Sequence, residues 1–237
     1  MAEPPRKETL SSRISATLRQ AILRGELAPG ARINLDRLRE RHDISISPLR
    51  EAVARLVADG LVTFEDQRGY RVAPVSMANL DEVTELRAEC EVIALRASIG
   101  RGDLDWESDV MRALHLLGRA AAGPERAGPE GEGPQPDEAW EAAHGDFHRT
   151  LIRGCAMPVL LGFCSVLHNM TERYHRLYPT ASPPGRAALA EHEAIALAAI
   201  ARDAEPACAA LRAHVLGAGA ELKRRLAVVG DGDPRAN

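Results

Sequence analysis

Residues 44–53 constrain the fold of this chain more than any other stretch, because they contain the start of a helix and part of its apolar face. Ser47 is a residue type that caps helices, and Pro48 suits a first turn, where a backbone N–H has no intrahelical partner. Gly60 is the residue type that ends many helices. The pattern predicts a helix with one buried face and with Arg50 directed outward near its N-terminal end. The apolar residues of that face are Leu49, Val53, Leu56 and Val57.

The segments around this helix predict a winged helix-turn-helix. A short helix is predicted over 34–41, and residues 42–45 join it to the next helix at helix-turn-helix spacing. The β-prone runs 61–64 and 70–73 flank a turn with a glycine, which predicts a hairpin, or wing. In such a fold the second helix of the pair enters a major groove and presents its N-terminal residues to base edges. A preceding helix is predicted from Leu10, Ile14, Leu18 and Ile22.

At these residues the chain resembles the GntR family of bacterial transcription regulators. Residues 44–53 and 59–62 are similar to the core motif of the family, and residues 68–72 resemble the tip of its wing. The resemblance implies binding to a double-stranded, pseudo-palindromic DNA operator. The DNA-binding residues that we predict are Ser45, Ser47, Arg50, Arg68 and Gly69.

One position departs from the family's pattern. The family usually carries an arginine between the serine of the turn and the capping residue, and this chain has Ile46 there. An isoleucine cannot donate a bidentate hydrogen bond to guanine, although it can contact the methyl group of thymine. The departure therefore bears on which bases are preferred and leaves the prediction of DNA binding intact.

After Pro74 the pattern becomes helix after helix, which predicts an antiparallel helical bundle. We expect two domains: a winged helix-turn-helix over 8–75 and an all-helical domain over 78–228. The fold class is thus mainly α, with a β-hairpin wing. A loop rich in proline and glycine is predicted over 123–136, and frayed residues over 230–237. The predicted helices lie near 79–100, 104–120, 138–154, 158–178, 186–202 and 205–226.

Composition agrees with two modest domains that act inside the cell. The 237 residues exceed one typical domain of roughly 100–150 residues. Hydrophobic residues make up 45% and aromatic residues 3%, so aliphatic side chains must build the cores. The N-terminus shows no signal peptide, and no apolar run could span a bilayer, which predicts a cytoplasmic protein without membrane contact. The four cysteines form no CxxC pair, so buried reduced thiols are expected.

Four histidines in the helical half form a candidate metal site. His144 and His148 are four residues apart and share one face of a helix, and His192 and His214 lie on two further helices. Imidazole nitrogens at about 2.0–2.1 Å are suitable ligands for zinc. On spacing alone, a surface or core role for such a pair is the commoner outcome. Asp146 is turned away from this face and is expected to be a solvated charge.

The helical half resembles the sensor domain of the FadR-like branch of the family, called the FCD domain. Residues 147–151 resemble one of its signatures. Residues 191–195 and 211–214 resemble the signature at its C-terminal end. In metal-binding members an Asp and three His hold the ion. The resemblance implies that His148, His192 and His214 are the three histidines and that His144 occupies the Asp position. A divalent ion is therefore expected, zinc or another transition metal such as nickel. Because His144 replaces a carboxylate, the ligands would neutralise less of the positive charge of the ion.

Arg87 is a second candidate for the effector pocket. We predict an apolar helix stripe of Leu86, Cys90, Ile93 and Ala97, with Arg87 at its flank. One interpretation is a surface pair with Glu91, four residues on. The resemblance implies the other, in which this arginine faces the cavity and binds the carboxylate of a small effector. His42, His115, His168 and His175 show no partner pattern and are expected to be structural or exposed.

Two classes of function fit these observations. The first is a ligand-responsive transcription regulator that forms a homodimer and represses a catabolic or transport operon. The second is a metal-dependent hydrolase or oxygenase, in which the histidines hold a catalytic ion with an open coordination position. The enzyme hypothesis leaves residues 8–75 without a role, and no HExxH motif supports it. We therefore predict a regulator and not an enzyme.

Overall fold

Three helices and a three-stranded sheet form the first part of the chain in the computed structural model, which describes residues 9–122, 136–179 and 186–230. They agree with the predicted winged helix-turn-helix. In chain order the elements are α1 (Leu10–Leu23), β1 (Arg32–Ile33), α2 (Leu35–His42), α3 (Ile46–Ala58), β2 (Val62–Glu65) and β3 (Gly69–Val72).

The sheet is antiparallel in the order β1-β3-β2, and β2 and β3 form the predicted hairpin. Val62 lies opposite Val72, and Glu65 lies opposite Gly69 at the turn. Gly69 has a φ of 78°, a conformation that glycine adopts without steric cost. Strand β1 was not predicted, because two residues are too few to show an alternating pattern.

The predicted start of α3 is wrong by two residues. The helix begins at Ile46 with Ser45 as its N-cap, and the side chain of Ser45 makes no capping hydrogen bond. Ser47 is therefore inside the first turn and does not cap the helix. Pro48 is tolerated at the third position because the first N–H groups of a helix have no intrahelical partner. The end is as predicted: Gly60 follows the helix with a φ of 73°.

The rest of the described chain is helical, which confirms the mainly α fold class. Helix α4 packs against α6, α7, α8 and α9. Most of the predicted loop and all of 231–237 lie outside the described residues. The helices are α4 (Met77–Arg101), α5 (Leu104–Ala121), α6 (Pro136–Arg153), α7 (Pro158–Leu177), α8 (Arg186–Ile200) and α9 (Ala204–Gly230).

Aliphatic side chains build the cores, as the low aromatic content predicts. One cluster lies among the first three helices and the sheet, and a larger one fills the helical bundle. Tyr174 and Leu80 belong to a third, small cluster. The four cysteines are free, with Cys90 half-buried and the other three buried. No helix among the described residues is long and apolar enough to cross a membrane.

Helix α7 joins the two parts of the molecule. Arg173 is fully buried and donates hydrogen bonds to the backbone oxygens of Ala73 and Pro74, at 2.8 and 2.9 Å. Arg19 on α1 donates to Asn169 and Glu172 on α7. These contacts connect the end of the wing and helix α1 to the same face of the bundle.

Candidate metal centre and nucleic-acid interface

The N-terminal end of α3 presents polar side chains to solvent. Ser45, Ser47 and Arg50 are all exposed, whereas Leu49 and Val53 on the opposite face are fully buried. This division leaves the arginine available to a DNA base edge while the helix is held by its apolar face.

The wing tip is also exposed. The side chain of Arg68 is 74% exposed and lies 3.3 Å from Glu65, an ion pair of the kind that contributes little to stability. A Cβ placed on Gly69 would meet open space. Arg68 is therefore accessible to solvent, and that it contacts a DNA phosphate stays a prediction.

The four predicted histidines meet in the interior of the bundle. His144 and His148 come from α6, His192 from α8 and His214 from α9. One possible ligand atom from each lies within 4.8 Å of all the others. Nitrogens at 2.0–2.1 Å from a tetrahedral ion are about 3.4 Å apart, so a contraction of at most about 1.4 Å would complete the shell.

Hydrogen bonds orient three of the four rings. The Nδ1 atom of His148 lies 3.1 Å from Glu91 Oε2, that of His214 lies 2.8 Å from Glu191 Oε2, and that of His192 lies 2.6 Å from the Ala188 carbonyl. All three partners can only accept, so each Nδ1 carries the hydrogen. Ligand histidines in metal sites are usually oriented in this way.

The opposite ring nitrogens fit a metal ion. The Nε2 atoms of His148 and His192 are buried without a hydrogen-bond partner among the described residues. An unpaired buried acceptor is costly, and a bound cation would remove this cost. The donor set of neutral imidazoles suits zinc, nickel or copper.

His144 lies against two of the other histidines and against Trp140. Its ring centroid is 4.7 Å from that of His148 and 5.0 Å from that of His192, and its face stacks on Trp140 at 4.5 Å. Burial lowers the pKa of His144 well below its ordinary value, which favours the neutral form that a metal requires. Asp146 is exposed and lies 3.5 Å from Arg149, as the predicted solvated charge should.

The structure places Arg87 inside the bundle. Leu86 and Ile93 are about half exposed, so the predicted apolar stripe was wrong. Arg87 and Glu91 are each 2% exposed and form a 2.6 Å ion pair, while the other oxygen of Glu91 binds His148. Burial of the pair is tolerated because the two charges neutralise each other. The second carboxylate oxygen of Glu91 also accepts a hydrogen bond from His148. That Arg87 contacts an effector stays a prediction.

Two histidines of α7 were missed. His175 lies 6.3 Å from His144 and His168 lies 6.4 Å from His148, as ring centroids, and both side chains are largely buried. They are seven residues apart, which places them on one helix face. The seven-residue spacing is the sequence feature that could have indicated that His168 and His175 face the same side of α7. His115, by contrast, is exposed as expected.

A cavity of about 570 Å³ reaches the histidine cluster. His144, His192 and His214 line it together with Trp140 and His175. Pockets of roughly 300–1,000 Å³ are the usual size for small organic ligands. A metal held by the histidines would therefore be accessible to such a ligand.

Acid should destabilise the metal-free protein. Burial lowers the pKa of His168, His175 and His192 to about 3, against about 6.5 in an unfolded chain. The folded state therefore binds fewer protons below pH 6.5. The contribution of these histidines to the free energy of unfolding is fully present above pH 6.5. It is lost as the pH falls toward 3, by at most about 1.4 kcal/mol per pH unit for each histidine. Urea unfolding of chelator-treated protein between pH 7.5 and 5 measures this slope.

The matched control for this prediction is His115, which is exposed. His168→Gln should reduce the slope, and His115→Gln should leave it unchanged. Equal stability at pH 7.5 and pH 5 would contradict the prediction.

Family models match both parts of the chain. The model described as "Bacterial regulatory proteins, gntR family" matches residues 10–72, and the model "FCD domain" matches residues 82–217, more than half of the chain. The first match contains α3 and the wing, and the second contains all four histidines.

Relatives of similar length support the same assignment. The chain is 35% identical over 217 residues to the "Uncharacterized HTH-type transcriptional regulator BphR" of Paraburkholderia xenovorans, covering 90% of this chain and 86% of that protein. It is 31% identical over 203 residues to the "HTH-type transcriptional repressor GlaR" of Escherichia coli, covering 84% and 89%. The solved structure "E. coli McbR/YncC" has the same fold, with a TM-score of 0.72 at 22% identity over 91% of this chain and 98% of that one. The chain therefore belongs to the GntR family of DNA-binding transcriptional regulators, with a C-terminal FCD domain, and not to a family of enzymes.

Proposed function

We propose that the protein is a metal-dependent repressor of a catabolic or transport operon that senses a small carboxylate. The observation that carries the proposal is the convergence of four histidines, three of which (His144, His192 and His214) line a 570 Å³ cavity. His144, His148, His192 and His214 would hold a divalent ion, with zinc as the first choice, and its positive charge would attract an effector carboxylate. The relative GlaR is named a repressor, which supports repression as the sign of the response.

The missing carboxylate at His144 favours an anionic effector. Four neutral imidazoles leave the two positive charges of the ion uncompensated by its direct ligands. Glu91 and Glu191 accept hydrogen bonds from the Nδ1 atoms of His148 and His214, and they are not among the four clustered ligands. An incoming carboxylate would supply the negative charge that the shell lacks.

We propose a homodimer with two domains in each chain, over 8–75 and 78–228, that acts in the cytoplasm. Two copies of α3 would enter successive major grooves of a pseudo-palindromic operator, with half-sites about one helical turn apart. Effector binding would change DNA affinity as far as the effector prefers one arrangement of the two DNA-binding domains. Analytical ultracentrifugation and a DNA selection with purified protein test the dimer and the operator.

Arg50 and Arg68 are expected to contribute to DNA binding in different ways. Arg50→Ala should weaken binding to the selected operator by about 1–3 kcal/mol and relax specificity at one position per half-site, because a base contact is lost. Arg68→Ala should weaken binding to all sequences and flatten the salt dependence, because a phosphate contact is lost. Fluorescence anisotropy at several salt concentrations measures both effects.

Arg119→Ala is the control for these variants, since Arg119 is an exposed arginine on α5, outside the gntR match. It should bind DNA as the unmodified protein does. An Arg50→Ala variant with undiminished operator affinity would show that the base-reading residues lie elsewhere.

A further inference from the structure

The cavity beside the histidines is also lined by the DNA-binding domain. Leu23, the last residue of α1, and Arg24, its C-cap, are part of the cavity lining together with His144 and His192. Leu23 is fully buried and belongs to the core of the winged helix. A ligand that fills the cavity therefore contacts both domains.

The end of α1 is positioned against the end of α7. A Cβ on Gly25, which follows Arg24 with a φ of 73°, would lie 3.3 Å from the side chain of Leu177. His175 and Arg176, in the last turn of α7, line the cavity as Arg24 does. The two helix ends thus form adjoining parts of its lining.

The charges around the cavity favour an anion with more than one charged group. Four arginines line it against three glutamates, and a divalent ion on the histidines would add two further positive charges. The glutamates are partly engaged: Glu191 binds His214, and Glu221 binds two of the arginines. The arginines are Arg24, Arg176, Arg224 and Arg225.

The arginines of the lining can donate hydrogen bonds to a second anionic group of the ligand. A guanidinium has five N–H donors. The hydrogen bonds of Arg224 go to Glu221, and those of Arg225 go to Glu221 and the Tyr178 carbonyl, so two donors of each are used. Planar donor pairs suit a carboxylate. One carboxylate near the histidines would fill only part of 570 Å³, which leaves room for a longer ligand beside the arginines of the lining.

Ion pairs continue from the cavity to the recognition helix. Glu172 accepts from Arg176, which lines the cavity, and from Arg19 on α1, both at 3.1 Å. Arg19 in turn lies 3.6 Å from Asp59, the C-cap of α3. A ligand group that draws Arg176 toward itself therefore acts on charges that hold α1 and α3.

We infer that Leu23 and Arg24 of the DNA-binding domain form part of the effector site and that the effector is an elongated dianion. One carboxylate binds the metal, and the second is held at the arginines that include Arg24. Monocarboxylates have no group for these arginines, so a second carboxylate at sufficient distance from the first decides whether the DNA-binding domain responds. The inference rests on the proposed metal-centred pocket.

The test uses the full chain loaded with zinc and two matched series of probes. Butyrate, hexanoate and octanoate are the monoanions, and succinate, adipate and suberate are the dianions of equal carbon number. We expect the longer dianions to bind at least about tenfold more tightly than their monoanions in calorimetry. They should also slow hydrogen exchange of the amides in the last turn of α1.

Arg24→Ala should weaken binding of adipate and suberate far more than binding of hexanoate and octanoate, which removes the advantage of the dianions, while Arg24→Lys should restore part of it. Arg119→Ala is the matched control, because Arg119 is exposed on α5 and does not line the cavity. Melting temperatures without ligand verify that each variant is folded.

Three outcomes overturn the inference. Dianions that bind no better than monoanions exclude the second subsite, and an advantage that survives Arg24→Ala excludes the contact with α1. Unchanged exchange in α1 excludes the response of the DNA-binding domain. Zinc content, measured before each titration, separates the two proposals: protein that takes up no zinc also refutes the proposed function, whereas zinc-loaded protein that fails the series refutes only this inference.

Discussion

His148→Ala is expected to abolish stoichiometric metal binding. The ring is 1% exposed, Glu91 orients its Nδ1, and its Nε2 has no hydrogen-bond partner among the described residues. A metal that binds only the folded state adds to stability, by about 4 kcal/mol at a thousandfold excess over Kd. The variant should lose that increment. Metal analysis after dialysis and urea unfolding with and without zinc measure the two effects.

Further histidine variants control this prediction. His214→Ala should behave as His148→Ala does, whereas His115→Ala, at an exposed position on α5, should retain about one ion per chain. Full metal content in the His148→Ala and His214→Ala variants would reject the site.

His144→Asp tests the charge argument. The substitution recreates the usual ligand of the family and should retain the metal. It also adds a negative charge beside the ion, so adipate should bind more weakly than it does to the unmodified protein. Equal adipate affinity in the two proteins would show that the charge of this residue does not govern the effector.

Arg173→Met is expected to lower the free energy of unfolding by about 3–5 kcal/mol. Arg173 is fully buried, donates to the carbonyls of Ala73 and Pro74 and lies 5.6 Å from the ring centroid of Tyr174. Methionine replaces much of the volume but leaves both carbonyl oxygens without these donors. Replacing both partners of a buried polar pair can be neutral, but here the backbone acceptors remain.

Urea unfolding of the metal-free protein measures this loss. Arg112→Met is the matched control, because the side chain of Arg112 is 71% exposed and pairs with Asp109 at the surface. It should change stability by less than about 1 kcal/mol. A similarly small change in Arg173→Met would show that water or the wing segment satisfies the two carbonyls.

The helices and the hairpin could be predicted because their signals are local. Periodic apolar residues place α3, and the turn before Gly69 places the wing, without knowledge of the rest of the chain. The error at Ser47 is also local. A serine and a proline are compatible with several positions in a first turn, and only the backbone conformation decides which residue is the N-cap.

The sequence by itself determined the four-histidine candidate, because His144 and His148 share a helix face and the other two follow a family signature. Only the tertiary structure decided which partners surround them. Glu91 is 57 residues from His148 along the chain, and their contact arises from the packing of α4 on α6. Helical periodicity describes one element at a time, so it left open whether Arg87 pairs at the surface or faces a cavity, and it gave His168 and His175 no partner. The burial of these side chains, and the presence of Leu23 and Arg24 in the lining of the cavity, depend on how separate elements pack.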